Sequence, residues 1–108
     1  MIAELKSKWL KALRSGRYKQ GKSRLRQIAN GKELHCCLGV LGRVMRVKWA
    51  EDAMYYSVKD NGVCHGVWLP TSLLKKVGLS NDEQGTLGGM NDGGYTFKEI
   101  ADYIEKQL

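Results

Sequence analysis

Tyr55-Tyr56-Ser57-Val58-Lys59 and Cys64-His65-Gly66-Val67-Trp68 flank the tetrapeptide Asp60-Asn61-Gly62-Val63. An Asn-Gly pair between two β-prone runs predicts a two-residue type I′ hairpin, because both central residues must take positive φ. The register follows: Asp60 faces Val63, Lys59 faces Cys64, Val58 faces His65 and Tyr56 faces Val67. One face then carries Tyr56, Val58, Val63, His65, Val67 and Leu69. The other carries Tyr55, Ser57, Lys59, Cys64, Gly66 and Trp68, so His65 falls on the more apolar side and Cys64 does not.

Downstream of the hairpin the apolar period changes from two to about 3.6. Pro70 sits at a first helical turn, with Thr71 to Val77 following and Gly78 closing the helix. A further helix is predicted over Asp82 to Asn91, with Leu87 and Met90 inward, broken by Gly93-Gly94. Thr96 and Glu99 form a capping box ahead of a stripe of Phe97, Ile100, Ala101, Ile104 and Leu108. Upstream, a helix from about Glu33 to Met45 is expected to bury Cys37, Leu38, Leu41, Val44 and Met45. Residues 17–32 have weak periodicity and read as an extended arm or loop with a short strand. Ile2, Leu5, Trp9, Ala12 and Leu13 define one face of an N-terminal helix that Gly16 ends. The expected fold is α+β: four or five short helices around a small antiparallel sheet, in a single domain over residues 1–108.

Composition narrows the function. The 108 residues hold 18 Lys plus Arg, 11 Asp plus Glu and 3 Cys. The longest apolar run, Cys36 to Gly42, is far short of the roughly 20 residues of a membrane helix. Charges interrupt the start Met-Ile-Ala-Glu-Leu-Lys, so it lacks the apolar core of a signal peptide. A cytoplasmic domain without a membrane partner is expected. Residues 1–48 carry 13 basic and 2 acidic side chains, and residues 49–108 carry 5 and 9. Such a field concentrates phosphate-bearing partners. The same basic run also suits the acidic half of its own fold, or that of a neighbouring copy in a homo-oligomer.

Four groups carry candidate chemistry. His35-Cys36-Cys37 with Cys64-His65 offers zinc-type ligands, but the pairs are adjacent in sequence, and neighbours on a strand point to opposite faces. No metal and no cofactor is expected. Cys36 or Cys37 near a helix start, with His65 as base and Asn91 or Asp92 orienting the ring, has the layout of a cysteine hydrolase. Buried thiols and a satisfied histidine explain the same residues. The arm Arg17, Tyr18, Lys19, Lys22, Arg24 and Arg26 pairs phosphate-neutralising cations with an aromatic ring that can stack on a base. Gln20-Gly21-Lys22-Ser23 resembles only the tail of a P-loop, without the upstream glycine. Asn91 and Asp92, in the glycine-rich stretch Gly85–Gly94, can bond a ribose or base edge, and also suit an ordinary helix exit.

Trp9-Leu10-Lys11-Ala12-Leu13-Arg14-Ser15-Gly16-Arg17-Tyr18-Lys19-Gln20-Gly21, with Cys36-Cys37-Leu38-Gly39-Val40-Leu41, resembles the opening of a group of small bacteriophage and prophage proteins. Their closing segment is similar to Gly85-Thr86-Leu87, Met90-Asn91-Asp92-Gly93 and Thr96-Phe97-Lys98-Glu99-Ile100-Ala101-Asp102-Tyr103-Ile104-Glu105. The likeness spans about half the chain. It implies expression in a bacterial host from a phage genome and carries no catalytic role. Gly42 stands where a third cysteine is common in that group, which weakens the metal reading further. The expected function is non-enzymatic: binding of a nucleotide-type or nucleic-acid anion, as in a counter-defence sequestering protein. The alternatives are direct binding of a host protein and a small Cys/His-dependent hydrolase.

Overall fold

The Asn-Gly hairpin forms in the expected register. In a computed structural model describing all residues, Met1–Leu108, β5 (Tyr55–Asp60) pairs with β6 (Val63–His65) through Asp60↔Val63, Lys59↔Cys64 and Val58↔His65. Asn61 and Gly62 have φ of 49° and 77°, the positive angles that a two-residue turn of this kind needs. The ladder stops at His65, so Tyr56 does not face Val67. Arg26 takes the place beside Tyr56 instead, and the Gly66 carbonyl turns to accept from Leu25 N–H at 2.9 Å. Val67 and Trp68 are consequently exposed, and so is Val63 at the start of β6.

Four further strands precede the hairpin: β1 (Lys19–Gln20), β2 (Arg26–Ala29), β3 (Lys32–His35) and β4 (Trp49–Asp52). The sheet order is β1-β3-β2-β5-β4, with β6 on β5. All pairings are antiparallel except β1 with β3. The sheet is therefore larger than expected, and mixed. Its extra part begins with a second Asn-Gly turn. Asn30 and Gly31 take φ of 52° and 74° between the paired Ala29 and Lys32. Residues 33–35, expected within a helix, are strand for that reason.

Five helices complete an α+β fold: α1 (Ala3–Arg14), α2 (Cys37–Val44), α3 (Thr71–Val77), α4 (Asn81–Asp92) and α5 (Phe97–Gln107). Thr96 and Glu99 make the expected reciprocal cap on α5, and Ser80 with Glu83 makes another on α4. Gly78 ends α3 in the left-handed conformation. Nineteen buried apolar residues form one core. Trp9, Leu10 and Leu13 of α1, Leu38 and Leu41 of α2, Leu87 of α4, and Ile100 and Ile104 of α5 meet there above Val58 of the sheet. Ile2, expected on the inward face of α1, is 49% exposed; Leu10 turns inward in its helix.

The start of α2 is held from three sides. Trp9 Nε1–H donates to the Cys37 carbonyl at 2.9 Å, and the Cys37 N–H donates to Asn91 Oδ1 at 3.1 Å. Gly39 lies against the Leu25 backbone so closely that a Cβ there would overlap the Leu25 carbonyl oxygen. No helix of the protein is long and apolar enough to cross a membrane.

Candidate anion-binding cleft

The β2–β3 hairpin and the segment entering β1 build the most polar cleft of the molecule. It has a volume of about 470 Å³ and is lined by Arg17, Tyr18, Lys19, Lys32, Glu33, His35 and Arg43. β1 runs parallel to β3 with Lys19 opposite Leu34, which sets Arg17–Lys19 alongside Lys32–His35. Arg43 comes from the last turn of α2.

Glu33 organises the interior of this cleft. One of its carboxylate oxygens, Oε1, accepts from Arg26 Nε at 2.9 Å and from Arg43 Nη1 at 2.8 Å. Burial works to raise the Glu33 pKa, but the Arg26 hydrogen bond and charge, with His35 and Arg43, carry it below its usual value. His35 lies at the floor of the cleft, 2% exposed. Its Nε2 stands 3.4 Å from Glu33 Oε1, outside hydrogen-bond geometry, and neither ring nitrogen has a partner. Burial, reinforced by Arg43 and Arg26 and opposed by Glu33, lowers its pKa to about 4. At neutral pH the imidazole is therefore uncharged. Tyr18 meets it edge to face, with ring centroids 5.0 Å apart, and the Arg43 guanidinium lies 5.9 Å from the Tyr18 centroid.

Arg17, Lys19 and Lys32 have no acidic partner within 4.0 Å. The cleft thus holds four basic side chains against one carboxylate, and that carboxylate is already shared by two arginines. Such a surface attracts anions and offers a half-buried aromatic wall beside them.

The expected basic arm divides in this arrangement. Arg17, Tyr18 and Lys19 line the cleft, and Arg26 reaches it through Glu33. Arg26 also packs its guanidinium 3.8 Å from the Tyr56 ring centroid, and Arg24 lies 3.9 Å from that of Tyr55. Both are committed to tyrosines of β5, on opposite faces of the sheet. Lys22 is exposed and lies outside the cleft lining. Asn91 is fully buried and bonds within the fold. Its amide donates to the Gly21 carbonyl at 2.8 Å, and its Oδ1 accepts from Cys37 N–H and from Gln20 Nε2. Asp92 Oδ1 accepts from Ser23 N–H at 2.9 Å. These two residues fasten the arm to α4 and do not face the cleft. Lys32, Glu33 and Arg43 went unrecognised in the sequence, where His35 was read only among zinc-type ligands, and the Asn30-Gly31 pair was the signal that places Lys32, Glu33 and His35.

The cysteines are not arranged as activated nucleophiles. Cys36 caps α2, its sulfur accepting from Gly39 N–H at 3.4 Å, and burial pushes its thiol up to about 11. Burial also raises Cys37 well above its usual value, with the neighbouring Cys36 adding to it. Desolvation outweighs the helix dipole here. Asn91, expected as a ring-orienting residue for His65, is saturated by backbone and Gln20 contacts. No three His, Cys, Asp or Glu side chains converge where they could hold a metal ion.

Fold and cleft together define a small α+β domain with one cation-rich, aromatic-lined face. The chain belongs to a family described as a domain of unknown function, DUF8296, whose model matches residues 1–108. No curated protein and no solved structure matches it.

Proposed function

We propose that this protein binds a phosphate-bearing anion, nucleotide-type or nucleic acid, at the Arg17–Tyr18–Lys19–Lys32–Arg43 cleft, and acts by binding and not by turnover. The observation that carries this reading is the charge balance of the cleft: three cations without an acidic partner, beside a tyrosine ring. Cations held together without counter-charge repel one another, and an incoming phosphate relieves that repulsion. Thiols held protonated at neutral pH favour binding over cysteine-dependent hydrolysis. The resemblance to phage proteins supports a role in the cytoplasm of a bacterial host, with sequestration of a nucleotide signal as the counter-defence form of the same activity. Association of basic and acidic halves between copies belongs to this reading as well.

Titration calorimetry with pyrophosphate and with ATP at low salt tests it. Arg17→Ala and Lys32→Ala remove exposed cations that no packing depends on, and each is expected to weaken binding about tenfold, the loss of one charge-assisted hydrogen bond. Absence of heat with both probes and with a short oligonucleotide overturns the reading. So does binding that ignores both substitutions.

A further inference from the structure

A second cleft, of about 250 Å³, adjoins the first and is lined by Lys8, Lys11, Ala12, Ser15, Arg17, Tyr18 and Val44. The two share Arg17 and Tyr18. Tyr18 therefore stands between two basic depressions, with Lys8 and Lys11 on one side and Lys19, Lys32 and Arg43 on the other. We infer that the anion is a single-stranded nucleic acid lying across Tyr18, its backbone tracked by Lys8, Lys11 and Arg17 and then by Lys19, Lys32 and Arg43. This rests on the anion-binding reading of the first cleft.

Three observations favour a strand over a small nucleotide. First, cations continue past the first cleft. Lys8 and Lys11 lie three residues apart and so on one side of α1. Lys11 has no acidic partner, and Lys8 has only the exposed Glu4 at 3.2 Å, a pair of little energetic weight. Second, Arg14, the last cation of α1, is neutralised. Arg14 donates to Asp102 at 2.7 Å and Glu105 at 2.8 Å, and Lys6 donates to the Glu105 carbonyl. A third cleft that touches Tyr18, lined in part by Arg14, Thr96 and Lys98, has its Arg14 charge compensated by this contact with α5 and keeps Lys98 as its one unpaired cation. Beside Tyr18, the cations without an acidic partner thus gather mainly in the first two clefts, at Lys11, Arg17, Lys19 and Lys32. Third, only one of the seven residues lining the first cleft is hydrophobic. Pockets for small molecules are mostly apolar and enclose their ligand, whereas grooves for single strands combine exposed cations with a stacking ring. A duplex keeps its bases paired and offers Tyr18 no free base face.

Fluorescence anisotropy with a labelled oligothymidylate of twelve nucleotides, set against ATP and against the same sequence as a duplex, tests the inference. The oligonucleotide is expected to bind more tightly than ATP. Its log K should fall with log salt at a slope of about −3 to −4, for four to six phosphates at roughly −0.7 each. Lys8→Ala with Lys11→Ala should shrink that slope by about 1.4 and leave ATP binding unchanged. Tyr18→Leu, checked for fold by circular dichroism, should weaken the oligonucleotide by about tenfold, within the range for a lost base stack. ATP binding as tight as the oligonucleotide, with the Lys8 and Lys11 changes silent, overturns the strand and leaves the anion cleft standing. A duplex that binds as tightly as the single strand also overturns it. Failure of every probe removes the cleft reading too.

Discussion

His35 is buried, uncharged at neutral pH and without a hydrogen-bond partner on either ring nitrogen. Its physics sets a pH dependence. In the unfolded chain an imidazole protonates near 6.5, but in the fold it does so only near 4. Between these values the unfolded state binds a proton that the folded state refuses, so stability falls as pH drops through that window. The shift corresponds to about 3 kcal/mol when complete. Glu33, held low chiefly by Arg26 against the opposing effect of burial, adds a loss in the same direction below the usual carboxylate range. Urea unfolding at a series of pH values should show the midpoint falling from pH 6.5 toward 4. His35→Gln should flatten that part of the profile; an unchanged profile in the variant would assign the dependence to other groups.

At the scale of the element, α2 depends on the absence of a side chain. Gly39 is the third residue of the helix, and its Cα faces the Leu25 carbonyl. That carbonyl also accepts from Cys36 N–H at 3.3 Å, so the loop cannot retreat without losing the bond that ties it to the N-cap residue of the helix. Gly39→Ala has a favourable helix propensity, worth up to about 1 kcal/mol in an open helix. Here overlap dominates, and a loss of about 3 kcal/mol or more is expected from urea unfolding, in the range of overpacked cores. A neutral or stabilising result would mean that α2 and the arm separate easily. The strands show the opposite dependence, on local turn chemistry. Both Asn-Gly pairs form turns with positive φ, and each sets the register of the strands beside it.

Across the whole molecule, the core decides which groups react. Cys36 and Cys37 lie among Trp9, Leu38 and Leu87 in the common core, whereas Cys64 is exposed on the edge of the hairpin. A thiol reagent can reach the first two only through opening of that core. With a colorimetric disulfide reagent, one thiol per chain is expected to react in the native protein and three in denaturant. Rapid native reaction at Cys36 or Cys37 would restore the hydrolase alternative. The charge halves are also settled at this scale: α5 neutralises Arg14 of α1, and the Arg17–Lys19 end is left uncompensated.

The sequence by itself determined what short-range chemistry controls. The hairpin at Asn61-Gly62, the cap at Thr96 and Glu99, the stop at Gly78 and the amphipathic faces of α1 and α5 are all legible, because each depends on residues within one or two turns of one another. Asn30-Gly31 was equally legible in principle, and it was hidden by the apolar run of α2 that follows it. Tertiary structure alone decided the site. Arg43 and Arg26 share one oxygen of Glu33, Lys19 lies opposite Leu34, and Asn91 spends its amide on the Gly21 and Cys37 backbone. These partners lie up to 70 residues apart. No local pattern encodes which cation finds an acid and which is left facing solvent, because that depends on which faces the core brings together.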